Sequence, residues 1–356
     1  MRITKVECRV HRTGFTYGAG TAAGGNLRLR EIETLLVRVE TEDGLHGFGE
    51  GFGFSLAETT RDAVERLLAP ACLGGDSRDI AGLTAMLRRR FHNYGRNGPV
   101  TFGISALDIA LWDIAGRRAG VPLHALLGEA GRARVPAYAS LLRYGDAADV
   151  ARNTAEAVRR GYRAIKLHEV DLACIRAARQ SAPTDIPLML DINCAFGTEA
   201  QALGFCQAVA GMNIRWVEEP VWPPEDHAAL ARLRAEAVCG IAAGENLGGV
   251  EEFARLLAAG AVDVAQPSAT KHGGVTALRE VAALARAAGV ACVPHSPYFG
   301  PGLLATLHLL AAIPEDEPLE VYFADLDAAP YGTALAVRDG AISVPPGPGL
   351  GLDPAW

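Results

Sequence analysis

The stretch YRAIKLHEV (residues 162–170) decides the fold. It ends an apolar run with Lys166 and His168, two positions apart. On a strand, successive side chains alternate faces, so both basic groups share one face. A buried strand with such an end either lets both groups reach solvent or delivers them to a site at the rim of a parallel sheet. Runs of similar length flank it: VPAYAS (135–140), PLMLDIN (187–193), IRWVEEP (214–220), GIAAGEN (240–246), VDVAQPS (262–268) and ACVPHS (291–296). They recur every 22 to 29 residues, and helical segments such as ALREVAALARAAG lie between them. Repeated βα units of this length imply a parallel sheet with helices outside. With an eighth strand at PLEVYF (318–323), the pattern predicts a (β/α)8 barrel over residues 128–323. A doubly wound open sheet is the alternative architecture.

Working outward, residues 1–127 read as an α+β domain. ITKVECRV and ETLLVRVETEDGLHGFGE carry strand patterns, the second with a turn at Glu42-Asp43-Gly44. Helices are expected near 56–68 and 101–118. In the second, Ile104, Leu107, Leu111 and Ala115 form one apolar stripe, and Gly120-Val121-Pro122 ends it. The glycine-rich GFGEGFG (47–53) precedes a helix, yet it does not match G-x-G-x-x-G and reads as a loop rather than a dinucleotide site. The Gly- and Pro-rich tail, 324–356, is expected to fold back on the first domain.

Composition bounds the function. A net charge of −7 and no long basic run argue against nucleic acid as a partner. Seven scattered cysteines without a CxxC pair read as reduced thiols of a cytoplasmic protein. No run approaches 18 uncharged apolar residues, and the start lacks the apolar core of a signal peptide, so no membrane partner is expected.

Several strands end in ionisable groups: Lys166 and His168, Asp191, Glu218 and Glu219, Glu245, His295, and Glu320. Singly, an Asp at a strand end reads as a helix cap and a histidine as a hydrogen-bonded structural residue. One strand after another delivering such a group to one rim reads as an active site. Asp191, Glu218 and Glu245 end the third, fourth and fifth strands, 27 residues apart in both steps. Three neighbouring carboxylates repel unless a cation neutralises them, and hard oxygen donors select Mg²⁺, Mn²⁺ or Ca²⁺.

The stretches GISALDIALWDIAGRRAGVPLHALLG (103–128), AIKLH, LDIN, WVEEP, GEN, KHGGVT (271–276) and VPHSPYFGPGLLATLHL resemble the enolase superfamily, in its mandelate-racemase and muconate-lactonising branch. They span nearly the whole chain. The resemblance implies an N-terminal α+β capping domain over a modified (β/α)8 barrel, one Mg²⁺ per subunit, a small-molecule carboxylate substrate, and a homo-oligomer. It implies removal of the proton α to a carboxylate, with the metal stabilising the resulting enediolate. By the family pattern Asp191, Glu218 and Glu245 would hold the metal, with Glu219 and Asn193 behind them.

The family places a Lys-x-Lys pair at the end of the second barrel strand. Lys166 and His168 stand there, which makes His168 a base candidate and Lys166 its electrostatic partner. His295 matches the histidine after the seventh strand, which in relatives pairs with an aspartate after the sixth. Here that position is Ser268, so His295 lacks a negative partner and its proton affinity should be lower. The lysine of the muconate-lactonising branch is also missing there, and sequence alone does not promote Lys271. Glu320 matches an acidic residue that in relatives hydrogen-bonds the substrate carboxylate. Specificity is expected in loops 14–30, with Tyr17, Thr21, Asn26 and Arg28, and 50–55, with Phe52 and Phe54.

The leading expectation is a Mg-dependent lyase that dehydrates a sugar acid, with His168 or His295 taking the proton. A racemase or epimerase, a lactone cycloisomerase and a non-catalytic binding protein are the alternatives.

Overall fold

The computed structural model describes residues 1–16, 31–128 and 131–356. Tyr17, Thr21, Asn26 and Arg28, singled out above, lie outside the described residues.

Strands β1 (Ile3–Thr16), β2 (Glu31–Thr41) and β3 (His46–Gly51) form an antiparallel meander. β1 runs six residues beyond its expected end at Val10. Its far end pairs with a short tail strand, Asp325–Leu326, described again below, so the chain's last part completes the first sheet. Leu35, Val37 and Val39 pack against the helix Pro99–Ala119 through Leu107, Leu111 and Ile114. Of the expected stripe, Ile104, Leu107 and Leu111 are buried and Ala115 is half-buried.

This helix has the length and mean hydropathy of a membrane span, but 72% of that window is buried inside the protein. Its two acids are bonded there: Asp108 accepts from Thr276 on the barrel, and Asp113 from the backbone of Phe48 and Leu350. GFGEGFG, expected as a loop, is instead strand β3 as far as Gly51, and its alternating glycines have a structural reason. A Cβ on Gly49 would run into the Ala106 carbonyl, so glycine lets β3 lie directly on the helix. The sequence pattern missed the helix Ile80–Arg90, whose apolar positions are diluted by arginine and glycine.

The barrel strands are β4 (Arg134–Ser140), β5 (Ile165–Leu167), β6 (Leu188–Asp191), β7 (Ile214–Glu218), β8 (Gly240–Ala243), β9 (Val264–Ala265), β10 (Ala291–Cys292) and β11 (Leu319–Tyr322). Seven of them fall inside the expected runs and are shorter than those runs, and β4 begins one residue before its run, at Arg134. Each pairs in parallel with the next from β4 to β10, and β11 pairs in parallel with β4. Between β10 and β11 no ladder forms. There, Ser296 bridges the gap, its N–H donating to the Glu320 carboxylate and its hydroxyl to the Glu320 carbonyl. In the tail, β12 is the Asp325–Leu326 strand, and β13 (Ala341–Ser343) pairs antiparallel to β4. The tail therefore touches both the meander and the barrel, and Trp356 packs beneath Arg9 and against Phe48.

Period-two alternation fills the barrel. Ala164, Met189, Trp216, Val264 and Val293 belong to one buried interior cluster. Two residues further along the same faces stand Lys166, Asp191, Glu218, Gln266 and His295. An apolar layer thus lies below a layer of polar and ionisable groups at the strands' C-terminal ends.

Candidate metal and acid–base site

Asp191, Glu218 and Glu245 present carboxylate oxygens that all lie within 4.8 Å of one another. Lys166 is fully buried at their base. Its Nζ lies 3.1 Å from Asp191 Oδ2, 3.2 Å from Glu218 Oε1 and 2.7 Å from Glu320 Oε1. Burial works to lower the lysine's pKa, but Glu218, Glu320 and Asp191 outweigh it and hold the ammonium charged.

One ammonium does not balance this many carboxylates. Glu218 is pushed well above the ordinary range by burial and then by Asp191. Glu219 is pushed up to about 8 by burial and then by Glu245. Buried carboxylates that face one another and outnumber the positive charge beside them fit a hard divalent cation.

Surrounding groups aim these carboxylates. Asn193 donates from Nδ2 to Asp191 Oδ1 at 2.8 Å, and Arg143 donates to Asn193 Oδ1 at 3.0 Å. Asn246 Nδ2 lies 2.9 and 3.0 Å from the two Glu219 oxygens and 3.0 Å from Glu245 Oε1. Lys271 donates to the Asn246 amide oxygen at 2.9 Å, while its ammonium sits 4.9 Å from the Phe52 ring centre. Asn193 and Glu219 occupy the left-handed region, with φ of 46° and 45°. Such conformations are costly for residues with a Cβ and cluster where function sets the geometry.

The two histidines stand at different sides of the cluster. His168 Nε2 lies 3.2 Å from Asp191 Oδ2, and its Nδ1 bonds the Leu141 carbonyl. A carbonyl only accepts, so Nδ1 carries a hydrogen and Nε2 is the nitrogen left facing Asp191 and the mouth. His295 Nε2 lies 2.5 Å from Glu245 Oε2, and its Nδ1 lies 3.1 Å from the Tyr298 hydroxyl.

Glu320 is fully buried, receives the Ser296 N–H at 2.8 Å and pairs with Lys166. Burial works to raise its pKa, but Lys166 and His295 outweigh it and hold it below the ordinary carboxylate range. The sequence reading gave it a substrate hydrogen bond, and in this arrangement its carboxylate is paired with Lys166.

All of the strand-end residues singled out in the sequence thus converge on one mouth. Tyr298, Asn246, Arg143 and the Leu141 carbonyl were not singled out. Tyr298 lies inside VPHSPYFGP, but nothing in its spacing marked it as a histidine's partner.

An aromatic wall covers one side of the mouth. Phe52 packs 5.3 Å from Phe54, 5.2 Å from Phe102 and 6.4 Å from Tyr298. Phe54 and Phe299 both meet Tyr322, at 6.2 and 6.0 Å.

Comparison with known proteins agrees with this architecture. Residues 28–128 match the mandelate racemase / muconate lactonizing enzyme N-terminal domain, and residues 149–356 match the enolase C-terminal domain-like family. The chain is 34% identical to the D-galactarolactone cycloisomerase of Agrobacterium fabrum, covering 99% of this chain and 96% of that protein. A racemase from Streptomyces coelicolor with bound magnesium superposes with a TM-score of 0.86 at 30% identity, covering 98% of this chain and 96% of the other. The L-talarate dehydratase of Polaromonas sp., complexed with Mg and L-glucarate, gives 0.84 at 30% identity, covering 99% and 95%. The chain therefore belongs to the enolase superfamily, in its mandelate racemase and muconate lactonizing enzyme branch.

Proposed function

We propose that this protein binds one Mg²⁺ per subunit through Asp191, Glu218 and Glu245 and removes the α-proton of a sugar acid, expelling a β-oxygen. The observation that carries the reading is the buried carboxylate triad flanked by two histidines, His168 beside Asp191 and His295 beside Glu245. When bound, the metal supplies positive charge against the negative charge that develops on the substrate carboxylate.

The chain's own groups do the rest. Lys166 adds a fixed charge at the base of the site, and Glu320 holds it there. His168 takes the α-proton at Nε2. His295 gives a proton to the departing oxygen. Dry walls of aromatic residues strengthen these interactions by excluding water.

Dehydration is the leading reading: the departing group is a hydroxyl. Cycloisomerisation of a lactone is the second, favoured by the 34% identity over nearly the full length to a lactone cycloisomerase. In that case the departing oxygen belongs to the ring. The capping domain, taken as 1–127, would close over the barrel, 128–323, with 324–356 tying the two together. The protein would work as a cytoplasmic homo-oligomer on a small carboxylate, with neither nucleic acid nor membrane as partner.

Proton NMR in D₂O with Mg²⁺, over sugar acids, their lactones and simple α-hydroxy acids, tests the reading. Loss of the α-proton with a keto-deoxy product is the expected result. Exchange with inversion and no elimination would replace it with racemisation. Metal-dependent stabilisation without exchange on any compound would favour a binding protein.

A further inference from the structure

The histidine after the seventh strand is expected to have an aspartate behind it, and Ser268 stands there instead. The serine does not reach the ring directly. Its hydroxyl bonds the Tyr298 hydroxyl, and that hydroxyl lies 3.1 Å from His295 Nδ1. Ser268 also lies 3.4 Å from the Thr270 hydroxyl. Ser268, Tyr298 and His295 are all buried, so these bonds do not compete with bulk water. Tyr298 is clamped further by edge contacts with the His295 and Phe52 rings, at 5.8 and 6.4 Å. Its N–H also donates to the Ser296 carbonyl at 2.7 Å.

The hydroxyls form a continuous relay behind the ring. Ser268 lies between the hydroxyls of Thr270 and Tyr298, and Tyr298 lies between Ser268 and His295 Nδ1. The Nδ1 side of the ring is thus held by neutral, buried partners, and Nε2 is left facing the carboxylate cluster.

We infer that Tyr298, anchored by Ser268, is the positioning residue that replaces the missing carboxylate, holding the His295 ring through Nδ1 so that Nε2 faces the leaving oxygen. The inference rests on the elimination reading above. In the step, the α C–H bond breaks with its proton going to His168 Nε2. The electron pair becomes the new C=C bond, the β C–O bond breaks, and the oxygen leaves with the proton from His295 Nε2. His168 has gained one proton and His295 has lost one, and exchange with solvent resets both.

The test uses the full-length Mg-loaded enzyme and two readouts. First, ¹⁵N NMR of histidine-labelled protein reports the hydrogen bonding of each ring nitrogen, without any substrate. Wild type should show His295 Nδ1 in a hydrogen bond, and Tyr298→Phe should lose that bonded signal. A His295 Nδ1 signal unchanged by Tyr298→Phe would overturn the inference, whatever the substrate proves to be. Second, with a turned-over sugar acid, Tyr298→Phe should lower kcat for product at least about tenfold, with KM within about twofold and α-proton exchange in D₂O retained. Ser268→Ala should act in the same direction with smaller size. In a His295→Asn background, Tyr298→Phe should add nothing further. Equal loss of exchange and product, or full additivity with His295→Asn, would reduce Tyr298 to a packing role. Failure of every compound to exchange in wild type would sink the elimination reading, while the NMR result would still decide whether Tyr298 holds the His295 ring.

Discussion

Replacing Lys166 with methionine keeps the aliphatic stem and removes the charge at the centre of the site. The ammonium contacts three buried carboxylates at 2.7–3.2 Å, and all four side chains are at most 3% exposed. At an effective dielectric near 20, each contact corresponds to roughly 5–6 kcal/mol of attraction. Desolvation of the ammonium offsets most of that, and removing one partner of a buried pair costs about 3–5 kcal/mol net. Lys166→Met should therefore lose about that much stability in urea denaturation with EDTA. The same change removes a positive charge next to two proposed metal ligands, so Mg²⁺ should bind more tightly, by about tenfold or 1.4 kcal/mol. Metal should then restore more stability to the variant than to wild type, although turnover falls. The assay is paired urea titrations with EDTA and saturating Mg²⁺, plus calorimetric Mg²⁺ titration. A loss below about 1 kcal/mol in EDTA, or weaker Mg²⁺ binding in the variant, would refute the view that Lys166 and the metal share the neutralisation of one cluster.

Asp191→Asn, Glu218→Gln and Glu245→Gln should each abolish most of the Mg²⁺-dependent rise in melting temperature, and in a turnover assay each should lower kcat by about 10³ or more, the scale of losing a central electrostatic group. His168→Ala should eliminate α-proton exchange in D₂O, whereas His295→Ala should leave exchange measurable and depress product formation. Glu50, buried where β3 meets the start of the helix Pro301–Ala312, has its pKa pushed up to about 8 by burial, against the opposing effect of the Gly302 N–H. It folds protonated, so its contribution to stability is complete below its unfolded value near 4.5 and is lost as pH rises through 8. Glu50→Gln should flatten the fall in stability between pH 5 and 9 by a few kcal/mol, read from urea midpoints across that range.

Much of this site was legible because a parallel barrel strand is short, buried on both faces and open only at its end. An ionisable residue after an apolar run has one place to go, and the 27-residue spacing of Asp191, Glu218 and Glu245 put them on adjacent strands. The same logic singled out Lys166, His168 and His295. It did not reach groups that act through neighbours on other segments. Asn246 reads as one more polar residue after Glu245 until the fold brings Glu219 within 3 Å of its amide. Ser268 reads as a loss until Tyr298, thirty positions away, is seen between it and His295.

By itself, the sequence determined the repeating βα rhythm, the identity of the strand-end residues and the surplus of carboxylate over cation at one rim. Each of these is local, set by period-two alternation and by the rule that charge is not left alone in a dry interior. Only the tertiary structure decided which lone pair each hydrogen faces. It left the β10–β11 gap to a serine, paired Glu320 with Lys166, and used the Leu141 carbonyl to orient His168. Hydrogen bonds depend on distances of tenths of an ångström between segments far apart in the chain, and the packing of the whole barrel and cap fixes those distances.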